Sequence, residues 1–494
     1  MNILGIDIGT GGTRAVLIDE TAAVLATETA EHPPFSTPAV GWAEQDPDDW
    51  WKAGVLVIRK ILKRFPADSI GAIGLTGQMH GSVLLDKADK PLRSALLWCD
   101  QRTEKQCDEI TRTIGTDRLI ELVSNPAITG FTLPKLLWVR ENEPTIWKMV
   151  ASILLPKDYV RLKLSGDGTI DVTDASGTLL FDVRNRKWSQ EMLEAFKIDA
   201  QLLPKVFESV EITGTVSRSA ASETGLRKGT PIVAGAGDNA AGAIGMGVTK
   251  PGTVSCTIGT SGVVFGVTEE PRFDARGRIH TMCHAIAGRW HNTGVTLAAG
   301  LSLKWFRQNF GGGKDYDELN REAEAVPAGA GGLIWLPYLM GERSPHLDPN
   351  AHAAFVGLTA RHSSAHLTRA VLEGVAFSLR DSLEIFKANG ATVESIRLGG
   401  GGARSPLWCQ IQADVYGQDV VTLKADEGAA FGSALIAGVG IGFWKTVDEA
   451  CETTVRVAET FASNLGNFTV YDQQFEKYRQ LYPLLRSLQT VKEN

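Results

Sequence analysis

Short apolar runs, broken by glycine and polar turns, open the chain and predict strands before helices. Residues 3–8 form the first run, which ends in Asp7-Ile8-Gly9-Thr10-Gly11-Gly12-Thr13. Residues 14–18 return as a second strand, 19–22 turn, and 23–28 make a third. The pattern then becomes helical. Pro47 opens a helix predicted toward residue 65, with Asp46 or Asp48 as its cap. Residues 70–75 read as a buried strand, the polar stretch Thr76-Gly77-Gln78-Met79-His80-Gly81 interrupts it, and 82–85 resume. A further strand at 95–97 is closed by Trp98-Cys99-Asp100-Gln101-Arg102. Helices are predicted at 130–138, with Pro134 in the first turn, and at 154–162, with Asp158 in the first turn. Residues 171–177 read as a polar loop with capping residues. Residues 231–234 are a buried strand that enters Gly235-Ala236-Gly237-Asp238-Asn239-Ala240-Ala241-Gly242.

The second half repeats the opening pattern. Residues 253–258 predict a strand, Gly259-Thr260-Ser261-Gly262 a hairpin, and 263–267 the returning strand. Two glycine-threonine hairpins, each between strands, suggest a duplicated fold. A helix is predicted over 295–306, a buried apolar segment over 334–339, and a polar loop at 341–345. The longest helical periodicity runs over 367–386. A strand at 396–398 enters Gly399-Gly400-Gly401-Gly402-Ala403-Arg404-Ser405, and Pro406 starts a helix to Tyr416. Residues 427–434 open a small-residue helix suited to close packing beneath a ligand.

At 494 residues the chain is too long for one core, so two domains are expected, 1–245 and 246–494. Hydrophobic residues at 43% and charged residues at 22% fit a soluble enzyme. A net charge of −7 argues against nucleic-acid and anionic-membrane partners. The opening residues run straight into a strand pattern, so no secretory signal is expected, and no run of about 18 uninterrupted apolar residues exists, so no membrane span is expected. Six scattered cysteines without a CxxC point to free thiols in a reduced cytoplasm.

Candidate chemistry follows the turns. Asp238 sits among small residues beside the amide of Asn239, an arrangement that suits a general base meeting a substrate hydroxyl; the same loop fits a tight turn with an Asx cap. Gly235-x-Gly237-x-x-Ala240 matches a dinucleotide fingerprint, but no acid stands at the end of the next strand, which excludes that reading. Gly9, Thr10 and Thr13 can present backbone N–H groups to a phosphate, with Arg14 adding charge and Asp7 holding magnesium through water; an ordinary hairpin is the alternative. Gln78 and His80 can bond a polyol, Trp98 can stack on a sugar and Asp100 can accept from its hydroxyls, or the Trp is structural and the Asp an exposed ion pair. Gly399 to Gly402 offer a flat surface for a purine or ribose beside a helix N-terminus.

Together these residues resemble the FGGY carbohydrate kinases over essentially the whole chain. Gly130 to Asn142 matches one family signature through Lys135 and Trp138, and Ala353 to Glu373 the other through Gly357, His366 and Glu373. QMHG from Gln78, LLPKDYVRLKLSG from Leu154, GDNAAGA from Gly237 and GERSPH from Gly341 narrow it further, toward the members that act on D-xylulose. The resemblance implies an α/β fold of two actin-like, ribonuclease-H-like domains, with mixed sheets flanked by helices and a cleft between them. It implies ATP and Mg²⁺, with Asp238 as base and Asp7 as metal-linked acid, both near the metal. Met79, His80 and Asn239 are expected at the sugar, Gly9, Thr10, Gly259 and Thr260 at the phosphates, and Gly400, Gly401, Gly402, Ala403 and Arg404 at the adenosine. Arg14 stands where relatives often have Lys. The expected partners are the sugar and ATP, with a homodimer left open as the assembly. Ribulose, gluconate, fuculose or glycerol are the alternative acceptors, and a non-catalytic sugar sensor is the alternative of another class.

Overall fold

The computed structural model describes residues 1–424 and 428–489; Glu427, where a helix was expected to open, lies outside the described residues. In the first half the chain runs β1 (Asn2–Ile8), β2 (Gly12–Ile18), β3 (Val24–Glu31), α1 (Pro47–Leu62), β4 (Ile70–Gly77), α2 (Thr132–Asn142), α3 (Pro156–Ser165), α4 (Val172–Ser176), β5 (Ile212–Thr215), β6 (Pro231–Val233), β7 (Ala236–Gly237) and α5 (Asp238–Gly245). The second half runs β8 (Gly252–Ile258), β9 (Gly262–Thr268), β10 (His280–Cys283), β11 (Trp290–Thr296), α6 (Gly300–Phe310), α7 (Tyr316–Glu324), α8 (Ser364–Ala388), β12 (Val393–Gly400), α9 (Pro406–Tyr416), β13 (Val420–Leu423), α10 (Gly428–Gly440), β14 (Val457–Phe461) and α11 (Leu465–Gln489).

The duplication suggested by two short hairpins extends to both sheets. The first has the order β5-β6-β4-β1-β2-β3, with β7 also on β4; the second has β14-β13-β12-β8-β9-β11-β10. In each, the hairpin strands pair antiparallel while the first of them pairs parallel with the strand after the long helix. The helix between β3 and β4 is α1, which Asp46 caps by accepting from Asp48 N–H, with Pro47 at its first position. Its counterpart between β11 and β12 is α8. There the signature residue His366 closes a capping box with Ser363, and Glu373 is buried, accepting from Gly329 N–H, Arg369 and Tyr471.

The two halves meet through small residues. Helix α10, from the second half, lies on β1 and β4 of the first sheet and on α5. A β-carbon at Gly5 or Gly74 would overlap the backbone of α10, and one at Gly432 would overlap the Ala241 carbonyl. The glycine-rich composition is therefore a packing requirement here. The shared core includes Ile3, Val16, Ala236 and Ile244 with Ala434, Leu435 and Ile436.

Two element expectations need correction. Residues 295–296 do not begin a helix; Val295 and Thr296 finish β11, pairing with Val263 and Gly262, and α6 starts at Gly300. A cross-strand ladder overrides an apolar spacing that also suits a helix. Residues 171–177 are not a loop: they contain α4, five fully covered residues capped by Asp171, which accepts from Thr173 N–H at 2.7 Å. One turn and a half is too short for periodicity to reveal. All six cysteines are unpaired thiols. Among the described residues no helix is long and apolar enough to cross a membrane.

Candidate active site

Asp7 and Asp238 come to one edge of the first sheet. Asp7, near the end of β1, is in register with Thr76 on β4, and Ala236 on β7 is in register with the same Thr76 from the other side. Two strand spacings put the Cα atoms of Asp7 and Ala236 about 10 Å apart. Asp238 follows two residues later as the first residue of α5. Both acids thus lie at the carboxyl ends of parallel strands, where α/β sheets commonly bind ligands. The Oδ1 atom of each is sealed from solvent without a hydrogen-bond partner, as is Oγ1 of Thr76.

The electrostatics follow from this geometry. Burial pushes the Asp7 carboxyl up to about 6, against the pull of Arg14, which faces it across the β1–β2 ladder. Burial, and then the charge of Asp7, push Asp238 up to about 7, against the N–H of Asn239. Two carboxylates that sense each other, each with one oxygen left without a partner, fit a divalent cation. They also leave Asp238 able to accept a proton near neutral pH.

A buried ion cluster fixes Asp238. Lys157 Nζ on α3 lies 2.7 Å from Asp158, 2.8 Å from Asp171 and 3.0 Å from Asp174. Arg161 lies 3.0 Å from Asp158 and donates to the carbonyls of Thr169 and Ala234. All five side chains have no solvent exposure. Three acids face two cations, and the excess is resolved at Asp174, whose carboxyl is held well above the usual range, first by burial, against Lys157, and then by Asp171 and Asp158. Thr173 donates to Asp171 and accepts from Gly237 N–H at 2.8 Å. The residues on either side of Gly235 are thereby tied to α3 and α4.

Met79 and His80 stand beside this segment. The Asn239 side chain donates to Met79 Sδ at 3.7 Å, and a β-carbon at Gly237 would press on the same thioether. His80 adopts a left-handed backbone, φ 66°, which is costly for a residue with a β-carbon. Its Nδ1 is held 2.9 Å from the Gly177 carbonyl and its ring packs edge-on to Phe131 at 4.7 Å. Burial and then Lys135 drive the imidazole well below its usual range, so it is neutral. Facing a carbonyl, Nδ1 carries the proton and Nε2 is an acceptor.

Four of the residues expected at a ligand have partners within the protein. The Gln78 amide is buried and serves the hairpin: it accepts from Thr10 Oγ1 at 3.1 Å and donates to Gln45 at 3.3 Å. The Trp98 indole donates to Thr10 Oγ1 at 3.0 Å, so its polar edge braces Thr10. Asp100 has no exposed surface; it accepts from Ala43 N–H at 2.7 Å and forms a buried pair with Arg102, leaving no oxygen for a sugar. Thr13 is buried with its hydroxyl 2.9 Å from His32 Nε2.

The second hairpin opens on a cavity of about 800 Å³. Gly259, Thr260, Gly401, Gly402 and Arg404 line it, as expected from the sequence. Gly400 and Ala403 instead line a separate cavity of about 320 Å³ on the other side of the turn, which Arg404 also borders. Sequence reasoning missed the opposite wall: Leu301 and Lys304 from α6, and Tyr316, Asn320 and Arg321 from α7. The start of α6 is bonded to the hairpin, Gly300 N–H to Gly259 at 2.9 Å and Leu301 N–H to Thr260 at 3.1 Å. The volume suits a nucleotide.

The chain was compared with known proteins. The N-terminal domain of the FGGY family of carbohydrate kinases matches residues 2–245, and its C-terminal domain residues 254–441. Xylulose kinase of Bacillus subtilis (strain 168) is 38% identical over 491 residues, 99% of this chain and 98% of that protein. Xylulose kinase of Escherichia coli (strain K12) is 37% identical over 486 residues, 98% of this chain and 99% of that protein. A crystal structure of a xyloylose kinase from Brucella ovis superposes with a TM-score of 0.93 at 36% identity, covering 99% of this chain and 100% of its own. Ligand-bound xylulose kinase from Lactobacillus acidophilus gives 0.94 at 25% identity, with 98% of each chain covered.

Proposed function

The chain belongs to the FGGY family of carbohydrate kinases, and from that premise we propose that it transfers the γ-phosphoryl group of ATP to D-xylulose, giving D-xylulose 5-phosphate. The observation that carries the chemistry is the half-buried pair Asp7 and Asp238, each with a partnerless oxygen. The acceptor rests on full-length similarity to proteins named xylulose kinase. The first half, residues 1–245, holds the sugar, and the second, 246–494, holds the nucleotide in the cavity between Gly259 and Gly401.

In this mechanism Asp238 accepts the hydrogen bond of the reacting hydroxyl, aims it in line with the γ-phosphorus and takes its proton as the bond forms. Nε2 of neutral His80 accepts from a second hydroxyl, and Asn239 orients a third. Met79 gives the pocket an apolar wall. The N–H groups of Gly9 and Gly259 close their hairpins onto the carbonyls of Gly12 and Ser261, and the backbone N–H groups at Thr10 and Thr260 meet the charge that develops on the phosphoryl oxygens. A divalent cation, magnesium in this proposal, would be held by Asp7 and Asp238 and would neutralise phosphate charge. Packing of the halves around the sugar excludes water, which would otherwise compete as acceptor.

The test is a coupled assay of ADP formation with D-xylulose, D-ribulose, L-fuculose, gluconate and glycerol. The highest kcat/KM is expected with D-xylulose. A higher value with any other acceptor replaces the substrate assignment while leaving the kinase class intact.

A further inference from the structure

Every sugar contact named so far comes from the first half. We infer that the second half completes the acceptor pocket, with Arg343 and His280 binding the sugar opposite His80. The inference rests on the kinase reading above and adds to it two binding residues and a sugar held across the junction.

The polar loop that carries Arg343 is anchored to β11. Glu342 accepts from Leu297 N–H at 2.9 Å and from the Thr296 hydroxyl. Ser344 N–H donates to the Val295 carbonyl at 2.9 Å, and its Oγ accepts from Val295 N–H at 3.0 Å. The loop is therefore a fixed part of the second half. Its arginine nonetheless leaves that half: Nη2 lies so close to Gly130 that a β-carbon there would sit 3.6 Å away. The Gly130 carbonyl accepts from Lys135 Nζ at 2.7 Å, and the same ammonium donates to the His80 carbonyl at 3.0 Å. Arg343 thus stands beside the backbone of His80. Among the described residues its guanidinium makes no hydrogen bond and no ion pair.

His280 reaches the same place from β10. Its ring packs edge-on to Phe131 at 5.4 Å, and Phe131 packs on His80. The side chain is 4% exposed, and neither ring nitrogen has a partner. A neutral imidazole always offers one donor and one acceptor, so both capacities are left unmet. Buried polar groups are nearly always satisfied, and leaving one unmade costs about 1–3 kcal/mol. An unmet donor fork beside Gly130 and an unmet imidazole on Phe131 meet at adjacent residues. A ligand dense in hydroxyls, with a carbonyl, satisfies both. The neighbouring carboxylates do not compete, because Asp100 is bound to Arg102 and Glu342 to its own loop.

The test compares Arg343→Met, Arg343→Lys and His280→Phe with the parent protein, by steady-state kinetics and by calorimetric titration with D-xylulose. Arg343→Met and His280→Phe are expected to raise the sugar KM and Kd about tenfold or more, with the KM for ATP within about twofold. Arg343→Lys, which keeps one donor and the charge, should fall between. Unchanged sugar affinity in both Arg343→Met and His280→Phe overturns the inference, as does an equal rise in the KM for ATP. If Arg343→Met loses its melting transition, Arg343→Lys and His280→Gln are judged by the same criterion. A parent protein that binds D-xylulose but does not phosphorylate it refutes the kinase reading, while the titrations still decide whether Arg343 and His280 hold the sugar.

Discussion

Asp7 and Asp238 lose much of their water while one oxygen of each gains no partner, and that sets their response to pH. Their folded-state values, about 6 and about 7, lie above the ordinary aspartate value of 3.8. They interact, so they titrate as a pair, and the base form of Asp238 is depleted as pH falls through that interval. kcat/KM for the sugar should drop about tenfold per unit below pH 6; a flat profile from pH 8 to 5 would contradict the role of Asp238. The linkage sign is opposite for stability. A raised folded value means that the folded state binds protons more tightly, so the stabilising contribution is fully present below 3.8 and lost as pH rises through 6 and 7. Asp238→Asn should therefore stabilise the fold at pH 8 in cation-free buffer by of the order of a few kcal/mol, read as a higher Tm, with little change near pH 4. An equal shift at both pH values would show that the carboxyl is not strained by burial. The same scale shows what single residues conceal. Asp238 and His80 were legible as candidates, because a lone acid and a lone imidazole stand among small residues. Gln78, Asp100 and Thr13 also carry polar groups able to bond a ligand, yet they are bonded to Thr10, Arg102 and His32. A sequence shows the groups but not which of them are spent.

At the scale of elements, α3 and α4 act as a clamp on the base. Lys157 binds three carboxyl groups, and removing it leaves them uncompensated. Lys157→Met should cost about 3–5 kcal/mol, read as a lower midpoint in urea, and activity should fall with it. Asp174→Asn should be nearly neutral in the same assay, because that carboxyl already keeps its proton. A larger loss from Asp174→Asn than from Lys157→Met would reverse this charge assignment. The helix carrying Lys157 and Asp158 was legible in advance, but the ion cluster was not. Its members span Lys157 to Gly237, and residues 171–177 looked like a loop. The hairpins and long helices were legible because their signals are local: glycines between apolar strands, Asp46 before Pro47, and helical spacing over 367–386. Helices α6 and α7 were not, since their role in the cavity depends on a fold that brings Tyr316 and Asn320 opposite Gly401.

At the scale of the molecule, two copies of one sheet topology each carry a glycine-threonine hairpin, and in the proposed mechanism the first copy holds the sugar and the second the nucleotide. Small residues join them along α5 and α10, and on the other side Asn125 exchanges hydrogen bonds with Thr281 at 2.7 and 3.1 Å. Sugar and nucleotide together should draw the halves closer about these joints, with Gly242, Gly245 and Gly247 absorbing rotation. Small-angle scattering with D-xylulose and a non-hydrolysable ATP analogue should give a smaller radius of gyration than either ligand alone; an unchanged radius would contradict closure. The central claim is that Asp238 deprotonates a sugar hydroxyl for phosphoryl transfer, and ³¹P NMR of the reaction with ATP and D-xylulose tests it most directly. The parent protein should form one sugar phosphate ester per ADP. Asp238→Asn should bind both substrates and form the ester about 10²–10⁴-fold more slowly. Ester formation by Asp238→Asn at the parent rate, or ADP released by the parent protein with inorganic phosphate in place of the ester, would contradict the claim.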